Sequence, residues 1–172
     1  MNTFKRISKA VLFLLIVSFT CLHITHAQDE KKGKKATKAT LINSLVDSQN
    51  FVFVPQSVSP MRGATRQLTS YYDITVSKDS LVSYLPYFGR AHVAPRDPTN
   101  IGFNFTSTKF EYTKTVTKKR ASDILIKPKD YTEVQNLSFR IFDNGSASLQ
   151  VISLNRDPIS FQGYITERKQ RK

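Results

Sequence analysis

The sequence predicts a mainly β protein: a single antiparallel β-barrel or β-sandwich of about eight strands, with one short N-terminal helix and a cleaved signal peptide ahead of it. Three observations lead there. From Phe51 onward apolar residues recur at every second position, the period that sends successive side chains to opposite faces of a strand. Clusters of Asn, Asp, Gly, Pro and Ser interrupt the alternation at short intervals, as hairpin turns require. Between the alternating runs no stretch has helical period, which excludes parallel α/β architecture, whose crossovers are helices. Barrel and sandwich differ in strand pairing, and a lone sequence leaves both open.

Taken in order, the chain opens with Lys5, Arg6 and Lys9 before a mostly apolar run, Ala10 to Leu22, and a small-x-small site at Thr25-His26-Ala27. This is the pattern of an export signal over residues 1–27, cleaved before Gln28, and it predicts an exported, periplasmic or envelope-associated protein. The run is too short for a spanning helix, which needs about 20 apolar residues. Lipid attachment at Cys21 is disfavoured, because bulky Phe19 stands where a lipobox has a small residue. Residues 28–38 hold five lysines against Asp29 and Glu30 and read as a basic flexible linker. Leu41, Ile42, Leu45 and Val46 share one helical face, predicting a helix from about Thr37 to Gln49.

Strands follow. Phe51 to Val54 opens the series; Tyr72, Ile74 and Val76 share a face, and Lys78-Asp79-Ser80 turns the chain into Leu81 to Leu85 as a hairpin. Phe103 and Phe105 mark another strand, then Phe110, Tyr112 and Val116, with an exposed turn at Lys118-Lys119-Arg120 before Ile124 to Ile126. Leu137, Phe139 and Ile141 lead to Asp143-Asn144-Gly145, where Asn-Gly supplies the positive φ values of a tight hairpin. Ala147, Leu149 and Val151 return, Asp157-Pro158 turns, and Ile159, Phe161 and Ile165 close the domain. The β domain therefore occupies residues 39–166, and 167–172 is a basic tail.

Composition excludes several chemistries. Removal of the signal takes Cys21, His23 and His26 with it, leaving no cysteine and one histidine, His92. Disulfides, thiolate zinc sites, cysteine nucleophiles and multi-histidine metal cages go too, and no cofactor is expected. The net charge of +13 suggests nucleic acid until it is located. Residues 39–166 carry fourteen bases against ten acids, so most of the excess lies in the signal, linker and tail. On an exported chain such tails meet anionic lipid or lipopolysaccharide rather than nucleic acid, even though Tyr112, Lys114 and Lys118 resemble a strand-binding surface.

The least regular stretch, Ser83 to Phe103, crowds prolines, glycines and aromatics beside Arg90, His92, Arg96 and Asp97. Tyr84 and Tyr87 offer aromatic surface, although with Phe88 they serve equally well as core. Arg90 and Arg96 offer planar forks for a carboxylate or phosphate. Histidine titrates near neutrality, so His92 is the candidate acid or base; no Gly-x-Ser-x-Gly elbow accompanies it. Glycoside hydrolysis needs two facing carboxyls, and Asp73, Glu111, Asp123 and Glu133 are scattered along the chain. No phosphate cradle, calcium loop or zinc spacing is present.

The stretches SYLPYFGRA (Ser83 to Ala91) and NGSASLQVISLNRDPISFQGYI (Asn144 to Ile165) resemble a family of uncharacterised exported proteins of Gram-negative bacteria, domain of unknown function 4251. The likeness runs from about Leu41 to Ile165. It implies an envelope protein with one β-rich domain and no particular reaction. Inside the matching motifs, Arg90, Asn155, Arg156 and Tyr164 become candidate site residues, with Asn155-Arg156-Asp157-Pro158 first of all a turn. The leading expectation is a non-enzymatic module that binds a small or lipid-like ligand. The alternative is docking on an envelope protein or an anionic membrane through basic tails and strand edges; a hydrolase around His92 or a carboxyl pair ranks third.

Overall fold

The computed structural model describes residues 36–93, 101–117 and 121–168. The backbone divides into two units, Met1–Lys38 and Ala39–Lys172, and the second carries the fold. The expected export signal, Cys21, most of the expected basic linker, Arg96, Asp97, the turn expected at Lys118 to Arg120 and the end of the C-terminal tail lie outside the described residues.

After a helix α1 over residues 36–47, ten strands follow: β1 (Phe51–Pro60), β2 (Arg66–Gln67), β3 (Asp73–Val76), β4 (Leu81–Leu85), β5 (Phe103–Ser107), β6 (Phe110–Thr117), β7 (Ala121–Pro128), β8 (Val134–Phe142), β9 (Ser146–Ser153) and β10 (Ile159–Thr166). All belong to one sheet in the order β5-β4-β3-β1-β10-β9-β8-β7-β6, with β2 paired to β1. Its neighbours are antiparallel throughout, and because every strand lies in this one sheet, whose two edges are consecutive in the chain, the sandwich alternative gives way to a nearly closed barrel.

The sheet's two edge strands, β5 and β6, are separated in sequence only by Thr108 and Lys109. The registers make them run in the same direction: they are two halves of one bent stave, the first pairing with β4 and the second with β7. Counted as staves, the barrel has the eight strands the alternation predicts. Asp130, in the β7–β8 loop, holds the bend. Its carboxylate accepts from Ser107 Oγ, from the backbone N–H of Thr108 (2.8 Å) and from that of Lys109 (3.2 Å). These bonds, that from Ser107 first, draw the carboxyl down to about 2, because each favours the charged form.

The interior is filled by the chain's own side chains. Phe51, Phe53, Phe103 and Phe161 are fully buried, and Phe139 meets Phe51 and Phe53 edge-on at 6.0 and 5.6 Å. At about 1.5–3 kcal/mol for each buried side chain, this packing is the main stabilising term in a domain without disulfides. A β-bulge between Pro55 and Ser57 shifts the phase of β1, so that inward positions pass from Phe51 and Phe53 to Val58. Beside it, Gly163 of β10 is obligatory, since a Cβ there would lie 2.8 Å from Pro55 Cα.

Helix α1 covers the end of the barrel where β1 begins. Ile42 and Val46 are buried, Ile42 lying against Gly145, whereas Leu41 is exposed, which narrows the expected four-residue face. Tyr112 Oη donates to Val46 O (3.0 Å), and burial, followed by the Asp47 charge, pushes its hydroxyl upward. The helix ends in a paired cap, with Asn50 N–H to Leu45 O (3.0 Å) and Gln49 N–H to Val46 O (3.2 Å); Gln49 takes a φ of 52° where glycine is usual.

Three local expectations change. At the β8–β9 turn only Gly145 takes a positive φ (83°); Asn144 instead accepts through Oδ1 from the backbone of Ser146 (2.9 Å), giving a longer turn than the two-residue form. Val116 faces solvent rather than sharing the half-buried face of Phe110 and Tyr112, because β6 is an edge strand of the sheet. Tyr84 and Phe88 are exposed, since Tyr84 occupies an outward position in the alternation of β4.

Candidate functional site

Five of the eight candidate residues, Tyr87, Arg90, His92, Asn155 and Arg156, converge at the barrel end opposite α1. The β4–β5 and β9–β10 loops meet there in a short antiparallel clip. His92 N–H donates to Asn155 O (2.7 Å), Asp157 N–H donates to Arg90 O (3.0 Å), and Ala91 bridges to Arg156. Arg156 sits at the centre and is only 5% exposed. Its guanidinium donates to Ile101 O (2.8 Å) and Gly102 O (3.1 Å), pairs through Nε with Glu133 Oε1 (2.9 Å), and lies 5.2 Å from the ring centres of both Tyr87 and Phe103. A planar fork of five donors between two rings is what arginine offers and lysine does not.

The surrounding groups are similarly engaged. Tyr87 Oη lies within donating distance of Arg90 O (2.7 Å) and Asp157 O (3.1 Å); burial, then the Asp157 charge, raises its hydroxyl. Tyr131 stacks on Phe105 (4.3 Å, 7°) and donates to Glu133 Oε2 (2.9 Å), and its hydroxyl is pushed up to about 12, by burial first and the carboxylate second. His92 Nε2 bonds Asp157 Oδ1 at 2.8 Å with the imidazole largely exposed. The dyad holds an imidazole, yet no hydroxyl or thiol among the described residues bonds to it. The four carboxyls considered for glycoside hydrolysis also take separate partners: Asp123 with Arg140, Glu111 with Lys129, Glu133 with Arg156, and Asp73 with the Tyr71 hydroxyl. Among the described residues no three His, Cys, Asp or Glu side chains gather as metal ligands.

Sequence reasoning weighed Glu133 only as a hydrolytic carboxyl and missed Tyr131, and the two complete the Arg156 cluster. The one available signal was an acid placed immediately ahead of an apolar alternating run. Tyr84 and Tyr164 lie elsewhere, on the outer wall. Tyr84 packs on Tyr72 (5.5 Å between rings), and Tyr164 lines a groove with Tyr71 and Tyr72. A second, polar depression lies on the outer wall of β6–β10, around the bidentate Arg140–Asp123 pair (2.8 and 3.0 Å).

Fold and site together define a class: a small antiparallel barrel with a filled interior, one end closed by a helix and the other by a loop clip pinned on a buried arginine. Within it the chain belongs to the family described as domain of unknown function (DUF4251), whose model matches residues 33–165. No curated relative matches it in sequence. Among solved structures it is similar to a DUF4251 family protein from Bacteroides eggerthii DSM 20697, at 13% identity and a TM-score of 0.57, over 77% of this chain and 89% of that one. At that identity the likeness speaks to the fold alone.

Proposed function

We propose that the protein is an exported, non-enzymatic envelope module that docks on an anionic membrane surface through its loop end. The carrying observation is the chemistry of that end. Met61, Phe88, Val93, Ile101 and Leu154 are exposed in the loops that follow β1, β4 and β9 and precede β5, with Ile101 at 71% and Met61 at 66%. Large apolar side chains on loop tips are costly in water and favourable at a lipid headgroup boundary.

Arg62, Arg66 and Arg90 share this end and are exposed, Arg66 lying 5.2 Å over the Phe88 ring. The acids nearby are committed elsewhere: Glu133 to Arg156, Asp157 to His92 and Asp130 to the bend of the β5–β6 stave. Three exposed arginines therefore stand around the apolar tips, an arrangement that fits anionic lipid. A small ligand held inside the barrel is the weaker reading, since side chains already fill the interior. Bonding of His92 and Arg156 to neighbouring loops favours binding over catalysis.

The test is vesicle co-sedimentation of the exported chain on phosphatidylcholine alone and with phosphatidylglycerol added. Binding should require the anionic lipid. With about 1 kcal/mol for each basic residue near the surface, Arg62→Glu/Arg90→Glu should weaken it at least about 30-fold. Ile101→Asp should also weaken it. Equal binding to both vesicle types, or indifference to these variants, would overturn the reading.

A further inference from the structure

The groove on the outer wall differs from the rest of the surface in its chemistry. It holds about 430 Å³, and none of the residues that line it carries a charge, on a chain with a formal net charge of +13. Its floor exists because the bulge in β1 and the close approach of β1 to Gly163 sink the wall beside Tyr164. Its far side is the segment between β2 and β3, tied down by Leu68 N–H to Gln56 O (2.8 Å). Tyr71 and Tyr164 stand exposed on its two flanks, and Tyr72, half-buried between them, continues through its contact with Tyr84. Gln56, Gln67, Thr69 and Ser70 add neutral donors and acceptors.

We infer that this groove is a binding site for a neutral saccharide segment. Phenol rings offer flat faces for the C–H side of a pyranose, while amides and hydroxyls match sugar hydroxyls in both donor and acceptor roles. The other ligand classes fit less well. A phosphate or carboxylate would meet no cation, an acyl chain would strand four polar side chains, and a flat nucleobase edge would bring its phosphates against an uncharged wall. The site is independent of the lipid-docking end, because none of the arginines or loop tips assigned to docking lines it.

The chain has no tryptophan, so emission excited at 280 nm comes from its seven tyrosines, three of which line the groove. The exported chain is titrated with soluble neutral tetrasaccharides, one each of glucose, mannose and N-acetylglucosamine units, alongside titration calorimetry. At least one should bind and change the emission. Tyr164→Ala and Tyr71→Ala, both surface substitutions, should each weaken it roughly tenfold, and Gln67→Ala by less, with circular dichroism and vesicle binding unchanged. No binding of any tetrasaccharide at millimolar concentration, or binding indifferent to Tyr164 and Tyr71, would overturn the assignment. So would tighter binding of an uncharged extended peptide, or of inorganic phosphate, in the same groove.

Discussion

Replacing Arg156 with leucine tests whether the loop end is held by one buried cation. Leucine keeps apolar contact with Tyr87 and Phe103 but removes the donors to Ile101 O and Gly102 O and the partner of Glu133. Breaking a buried pair by deleting one member costs about 3–5 kcal/mol. The Glu133 side chain keeps 28% exposure, so water reaches the abandoned carboxylate and the lower figure, about 3 kcal/mol, applies. For a domain this size that is a fall of roughly 10 °C in melting temperature, within the 5–15 kcal/mol that typical domains possess. Urea unfolding followed by tyrosine emission measures it. Adding Glu133→Leu should recover about half the loss, because the uncompensated charge disappears while the two carbonyls remain without their donor. A loss under about 1 kcal/mol, or a double variant no more stable than the single one, would refute the pinning argument.

Asp130→Asn should lower stability in a pH-dependent way. The folded carboxyl lies near 2 against an ordinary 3.8, so its contribution is fully present above about pH 4 and is lost as pH falls through 2. The melting-temperature gap between parent and variant should accordingly close between those values; a gap unchanged from pH 6 to pH 2 contradicts it. Gln49→Gly should stabilise by about 0.5–1 kcal/mol, since the left-handed conformation costs a non-glycine residue about 1–2 and the extra chain entropy of glycine takes back part. Chemical denaturation reads that difference, and a destabilised variant counts against it. Gly163→Ala should destabilise by about 1–3 kcal/mol, by forcing a Cβ against Pro55 in the central β1–β10 ladder; thermal melts measure it.

Most of the barrel was legible because alternation is a direct projection of burial. Phe103, Phe105, Leu137, Phe139, Ala147, Leu149 and Phe161 all face inward as their period requires. What alternation does not carry is phase after a bulge. The second half of β1, with Pro55 and Pro60 in it, reads as broken, although Val58 is as buried as Phe53. Nor does it show that Phe103 to Thr117 is one stave bent between two partners, because the bend depends on Asp130, more than twenty residues away. The site follows the same rule. Asn155-Arg156 and Arg90 to His92 were visible as unusual local composition, whereas the partnership of Arg156 with Glu133 is purely tertiary. The groove was invisible, since its lining comes from three separated segments with unremarkable polar residues.

The two routes open to basic residues for docking on a membrane, tail or loops, start from opposite ends of the fold. Thr166 ends β10 beside the start of β1, with Val52 opposite it, and Arg168 donates to Ser77 Oγ (3.3 Å), so the chain leaves the sheet at the helix-covered end. Arg62 and Arg90 belong to the opposite end, where β10 begins at Ile159. Eight residues of strand at roughly 3.3 Å each put about 23 Å between the ends of β10. That is nearly three times the screening length of about 8 Å at physiological ionic strength, so charges at the start of the tail and the loop arginines are screened from each other. Deleting Glu167 to Lys172 should then leave binding to phosphatidylglycerol vesicles within about twofold, against the loss of at least about 30-fold for Arg62→Glu/Arg90→Glu. The reverse pattern would place the helix end on the lipid and refute docking through the loops. With the loop end down, the tyrosine groove, midway along the wall, opens sideways above the headgroups and stays accessible to a saccharide while the protein is bound.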